Sequence, residues 1–158
     1  DLGVRYGEGC GDAALTVAVG EIDNRKMRAM YYGLRALTEG IKVVSAGTPI
    51  SAIGRAIEKF ATINGFRVIE EFVGHHIGKD MHEEPMIPSH YVPAYDNVLL
   101  EAGKVICIEP MLTPGNGKTA INAVDKWTAF CTDYQPVAMF EAMILVQPRG
   151  HEILTTHL

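Results

Sequence analysis

A chain of 158 residues with a net charge of −5 is long enough to bury one sizeable core. Its acidic balance, with no run of Lys or Arg longer than two, argues against a surface that tracks phosphates, so no nucleic-acid partner is expected. No apolar stretch approaches the ~20 residues that a bilayer span needs, and no membrane association is expected. Cys10, Cys107 and Cys131 are far apart, odd in number and free of any CxxC spacing. That pattern argues against a disulfide scaffold and for a reducing, cytoplasmic setting. No signal-peptide pattern is present, and a monomer is expected. The first residues, "DLGVRY", are strand-like from the outset, and the sequence reads as the interior of a longer protein, a processed form or a partial gene product.

In chain order, residues 1–19 read as two extended segments joined by a Gly-rich turn, a β-hairpin. A helix is predicted over 23–44 with Asp23 as its cap. Met27, Met30, Tyr31, Leu34, Leu37, Ile41 and Val44 recur there at three- and four-residue steps, which places Met27 and Met30 in a core stripe. A second helix is predicted to open at Thr48-Pro49, with Thr48 capping and Pro49 in the first turn. Its apolar stripe is Ile50, Ile53, Ile57, Phe60 and Ile63, and Asn64-Gly65 ends it. Residues 66–73 read as a strand that delivers the chain into "GHHIGKDMHEEP" (74–85), followed by a loop over 85–97. Further strands are predicted over 104–111, 127–134 and 137–146, with a short one at "EILT". There is no internal repeat and no linker. The reading is a single α+β domain over 1–158 with a largely antiparallel sheet.

Two acidic residues stand where acids are costly. Glu109 in "VICIEPM" and Glu141 in "VAMFEAMILV" lie in apolar strand sequence with no Lys or Arg nearby, and an unpaired carboxylate buried there costs several kcal/mol. By period-two counting Glu109 shares a face with Val105 and Cys107. A divalent cation is the economical compensation. With Asp1 and Asp12 flanking the hairpin, the acids form an oxygen-rich set, and one histidine added to it suits Mn²⁺, Fe²⁺, Co²⁺ or Zn²⁺. Four carboxylates exceed the usual need of one ion and suit two, ~3.5–4 Å apart. His75 and His76 are adjacent, so in extended backbone they point to opposite sides and at most one reaches the metals; His75, directly after Gly74, is the one assigned. The plainer readings stand beside these. A histidine in a Gly-rich loop is ordinarily solvated, and a strand glutamate is ordinarily at an edge. Cys107 reads as a buried small hydrophobe rather than a nucleophile, and His90, His151 and His157 read as surface residues.

"GHHIGKDMHEEPMIPSHY", "VICIEPM", "KWTAF" and "FEAMILV" resemble the "GHGIG…HEEP…PNY", "TIEPM", "GWTA" and "FEHTILV" signatures of type I methionine aminopeptidases. "DLGVRYGEGCGD" matches that family's "D-x-x-V…GD" hairpin, with Asp1 and Asp12 at the family's spacing. The resemblance runs over essentially the whole chain, in order. It implies a pita-bread fold that is N-terminally incomplete, lacking the family's first third with another active-site histidine and part of the methionine pocket. It implies Asp1, Asp12, His75, Glu109 and Glu141 as ligands of two divalent ions, Asp12 and Glu141 bridging. It further implies His82 as the residue facing the scissile carbonyl, Met81 and Trp127 as pocket residues for the methionine side chain, and Glu109 as the acid/base. The implied substrate is the N-terminus of a peptide or nascent polypeptide, met in proximity to the ribosome.

The sequence departs from the family pattern at several places. His76 stands for a glycine, Ala142-Met143 for His-Thr, Met139 for a glutamine and Ala13 for a threonine, all beside ligands, where neighbours commonly tune metal affinity ten- to a hundredfold. Two rivals remain open: an Xaa-Pro dipeptidase of the same fold, which resembles "HEEP…IP" and "KWTAF" less, and a non-catalytic pita-bread module that binds polypeptide.

Overall fold

The computed structural model describes residues 1–155; His157 lies outside the described residues. Strands β1 (Leu2–Tyr6) and β2 (Gly9–Ala13) form the expected hairpin, with Gly3 opposite Asp12. Helix α1 (Asn24–Lys42) is capped by Asp23, whose carboxylate accepts from the Lys26 N–H at 2.9 Å. Helix α2 (Ile50–Ile63) starts differently from the expectation. Pro49 itself holds the N-cap position and no side chain caps the helix. The Val98 carbonyl accepts from the Ile50 N–H at 2.9 Å instead, satisfying one of the donors that a helix start leaves open. Ile50, Ile53 and Ile57 are fully buried, whereas Ile63 is exposed, because six residues past Ile57 the helical turn has left the inner face. Met27 is likewise exposed, and Ala29 and Met30, one turn further on, are the first α1 residues to pack into the core.

The strand expected over 66–73 shrinks to β3 (Arg67–Val68), and β4 (Gly74–His76) follows after a bend. Part of the expected loop is β5 (Glu83–Ile87), which folds back on β4, and Pro93–Tyr95 form a short 3₁₀ turn. Pro110, which has no N–H for a ladder, separates β6 (Val105–Ile108) from β7 (Met111–Thr113). A hairpin of β8 (Thr119–Ile121) and β9 (Ala129–Cys131) comes next. The strand expected over 137–146 breaks in two. Its first part, β10 (Ala138–Met139), pairs with β7, and its second, β11 (Ala142–Val146), pairs with β6. At the break the Glu141 N–H donates to the Ala14 carbonyl at 2.8 Å. Strand β12 (His151–Ile153) closes the edge.

The main sheet runs β12-β11-β6-β4-β5, antiparallel throughout, and a smaller sheet runs β10-β7-β3. Ile106, Ile108 and Ile144 pack into one core with Leu37, Ile41, Ile53 and Ile57 of the helices. Strand alternation then turns Cys107 to the opposite face, with His75 on β4 and Met143 on β11 as its cross-strand partners. That second face carries the polar residues singled out above. The close approach of the strands depends on Gly74. A Cβ there would lie 2.2 Å from the Cys107 carbonyl oxygen and 3.1 Å from that of Ile87. Gly74→Ala is expected to force β4 away from both neighbours and to destabilise the fold by about 2–3 kcal/mol, read as a lower urea midpoint.

Candidate metal centre

His75 is set by its backbone. Its Nδ1–H donates to the His76 carbonyl at 3.0 Å, which leaves Nε2 as the free lone pair. Nε2 faces Glu109 Oε1 at 3.5 Å and Asp12 Oδ2 at 3.8 Å. The ring of His76 turns the other way, its Nδ1 bonded to the Pro85 carbonyl at 2.6 Å. Of the adjacent pair, only His75 faces the carboxylates.

Four elements meet at this point: Asp12 from β2, His75 from β4, Cys107 from β6 and Glu141 from the break before β11. One donor atom from each lies within 4.8 Å of the others, and all four residues are buried. Glu141 is only 1% exposed, yet its Oε1 has no hydrogen-bond partner, a costly state for a carboxylate unless a cation satisfies it. Glu109 stands beside this group rather than within it. Asp1 is exposed just before β1.

Burial dominates the electrostatics. It pushes the Glu109 carboxyl up to about 8, with the charges of Glu141 and Asp12 adding to the rise. It pushes Glu141 up to about 7, with Asp12 adding, while the hydrogen bond from Cys107 opposes it. The Cys107 thiol is driven far above its ordinary value by burial and by the surrounding carboxylates. His75 is lowered, mainly by burial, so its neutral, ligating form prevails at neutral pH. A buried cluster of acids with a neutral imidazole and an unpartnered carboxylate oxygen fits a divalent cation.

These shifts have a sign. Both glutamates hold their protons in the fold at pH values where the unfolded chain has lost them. Without metal, the stability they contribute is complete below about pH 4.5 and is lost as pH rises through about 7 to 8. The metal-free protein is therefore expected to melt at a falling temperature across that window in differential scanning calorimetry. Mn²⁺ added at pH 8 is expected to restore the loss, and Glu109→Gln to flatten the slope.

Of the remaining expected residues, the exposed His82 lies near the centre, its ring 4.3 Å from that of His75 and nearly edge-on. The Met81 side chain reaches the hairpin at Gly3, where Asp12 Oδ1 also approaches. Trp127 is 86% exposed in the β8–β9 turn, its backbone N–H donating to Asp125. His151 is half-buried against the Val44 carbonyl and His90 has a buried Nδ1, so neither is the simple surface residue expected. Cys107 is buried, as expected, and lies within this group. The same period-two count that turns Glu109 to this face turns Cys107 to it as well. None of the described helices is long and apolar enough to cross a membrane.

The model of metallopeptidase family M24 matches residues 1–148. The chain belongs to metallopeptidase family M24. Among M24 proteins it is similar to a methionine aminopeptidase of Chlamydia pneumoniae, 36% identical over 148 residues, which is 92% of this chain and 49% of that protein. The crystal structure of methionine aminopeptidase from Thermotoga maritima superposes with a TM-score of 0.92 at 35% identity, covering 98% of this chain and 61% of that one. Prolidase from Pyrococcus furiosus, at 21% identity and a TM-score of 0.78, shares the fold alone. The α+β, pita-bread M24 expectation holds, and this M24 chain spans about half the length of the first of these relatives.

Proposed function

We propose that the chain carries the metal centre of an aminopeptidase that releases methionine from the N-termini of peptides and nascent proteins, in the cytoplasm and close to the ribosome. The observation that carries this reading is the buried convergence of Asp12, His75 and Glu141 around an unpartnered carboxylate oxygen, with Glu109 alongside. Asp1, Asp12, His75, Glu109 and Glu141 would hold two divalent ions. Bound there, the ions would supply Lewis acidity toward the amide carbonyl and a water acidified toward neutrality.

The protein's own groups do the rest. Glu109, able to carry a proton near neutral pH, takes the proton of the attacking water and returns it to the leaving amine. His82, exposed beside His75, donates to the scissile carbonyl oxygen as charge builds on it. Met81, leaning on the hairpin next to Asp12, offers an adaptable apolar contact for the substrate side chain. Methionine release from a Met-Ala-Ser peptide tests the reading. Release that requires Mn²⁺ or Co²⁺ and stops on chelation is expected. Release that survives chelation, or cleavage confined to Xaa-Pro dipeptides, would overturn it. No release from a metal-loaded chain would overturn it for this chain while leaving the centre in place.

A further inference from the structure

We propose that Cys107 is itself a ligand of this centre, its thiolate joining Asp12, His75 and Glu141 on one ion and turning the site's preference toward thiophilic divalent metals. The inference rests on the metal-centre reading above.

The geometry is specific to this cysteine. Sγ of Cys107 belongs to the four-donor group whose atoms lie within 4.8 Å of one another. The residue is fully buried and fixed on both sides by sheet pairing, to His75 on β4 and to Met143 on β11. An apolar role does not account for a sulfur grouped with the donor atoms of Asp12 and Glu141. A small hydrophobe gains nothing beside two buried carboxylates, whereas a donor to a cation does. Cys10 and Cys131 lack this company. The Cys10 thiol lies against the Lys79 carbonyl at 3.5 Å, and that of Cys131 against Thr113.

The Cys107 S–H donates to Glu141. On binding, the S–H proton leaves to solvent and the ion takes its place, one proton released for each metal–sulfur bond formed. Sulfur, imidazole and two carboxylates make up the four donors that Zn²⁺ commonly takes. A thiolate in the set favours Zn²⁺ over Mn²⁺ more strongly than the same site made only of oxygen and nitrogen.

The test is a Co²⁺ titration of the metal-free protein, read by near-ultraviolet thiolate-to-metal charge-transfer absorption. Binding is followed separately by competition with a chromophoric chelator. The wild type and the double variant Cys10→Ser/Cys131→Ser are expected to develop the band in step with binding. In the double variant Cys107 is the sole remaining thiol, so that result decides the matter even if substitution at Cys107 disturbs folding. Cys107→Ser, its fold checked by circular dichroism, is expected to bind without the band and to lose about tenfold or more in affinity for Zn²⁺, with that for Mn²⁺ little changed. Binding without a band in the double variant, or a band that persists in Cys107→Ser, would overturn thiolate ligation and leave the metal centre standing. Failure of the wild type to bind any of these ions would overturn both.

Discussion

His75→Ala is expected to weaken Mn²⁺ or Co²⁺ binding by about a hundredfold or more, while His76→Ala stays within about tenfold of the wild type. The asymmetry follows from the two rings. His75 turns Nε2 to Glu109 and Asp12 at 3.5 and 3.8 Å, and its other nitrogen is already committed to a backbone carbonyl. His76 spends its Nδ1 on the Pro85 carbonyl at 2.6 Å, so its loss acts on the turn between β4 and β5. His76→Ala should therefore cost about 1–2 kcal/mol of stability rather than the metal. Isothermal titration calorimetry beside urea unfolding separates the two effects. The reverse order, with His76 controlling the metal, would mean that the wrong histidine has been placed on the site.

Glu109→Gln is expected to have the largest effect on chemistry. The substitution preserves shape and removes the proton carrier, so kcat for Met-Ala-Ser should fall by about a thousandfold, within the range that general acid–base catalysis supplies. Metal binding should fall much less, because Asp12, His75 and Glu141 form their group without it. At pH 8 the metal-free variant should also melt above the wild type, since the carboxyl that burial opposes there is gone. A rate unchanged in a variant that still binds metal would remove Glu109 from the proton-transfer role.

Much of this was legible in local patterns, and the failures share a cause. Asp23 declared the start of α1 because an N-cap is chemistry within four residues. Glu109 and Glu141 announced a site because carboxylates in apolar strands demand a partner wherever the strands lie. Strand alternation limited the adjacent pair to one histidine facing the site, and the place of His75 directly after Gly74 chose between them. What was missed depends on which strand pairs with which. Residues 137–146 look like one strand, and only the switch from β7 to β6 as partner explains why the chain breaks at Phe140-Glu141. The strand at Glu83–Ile87 forms because β4 offers it an edge, against a local sequence with a proline that reads as loop. Ile63 and Met27 were drawn into stripes that the helical turn does not extend to them. Cys107 is buried as its residue type suggests, and period-two counting already placed it on the face of Glu109.

Metal stoichiometry tests the central claim most directly, with no substrate required. After equilibrium dialysis of the metal-free protein against Mn²⁺, and separately Zn²⁺, elemental analysis would count the ions retained by the wild type and by Glu141→Gln. Retention of one to two ions per chain is expected in the wild type. Glu141→Gln, which neutralises the unpartnered carboxylate, is expected to retain fewer. Equal retention in the two proteins, or none in the wild type, would contradict the assignment of this cluster as a metal centre.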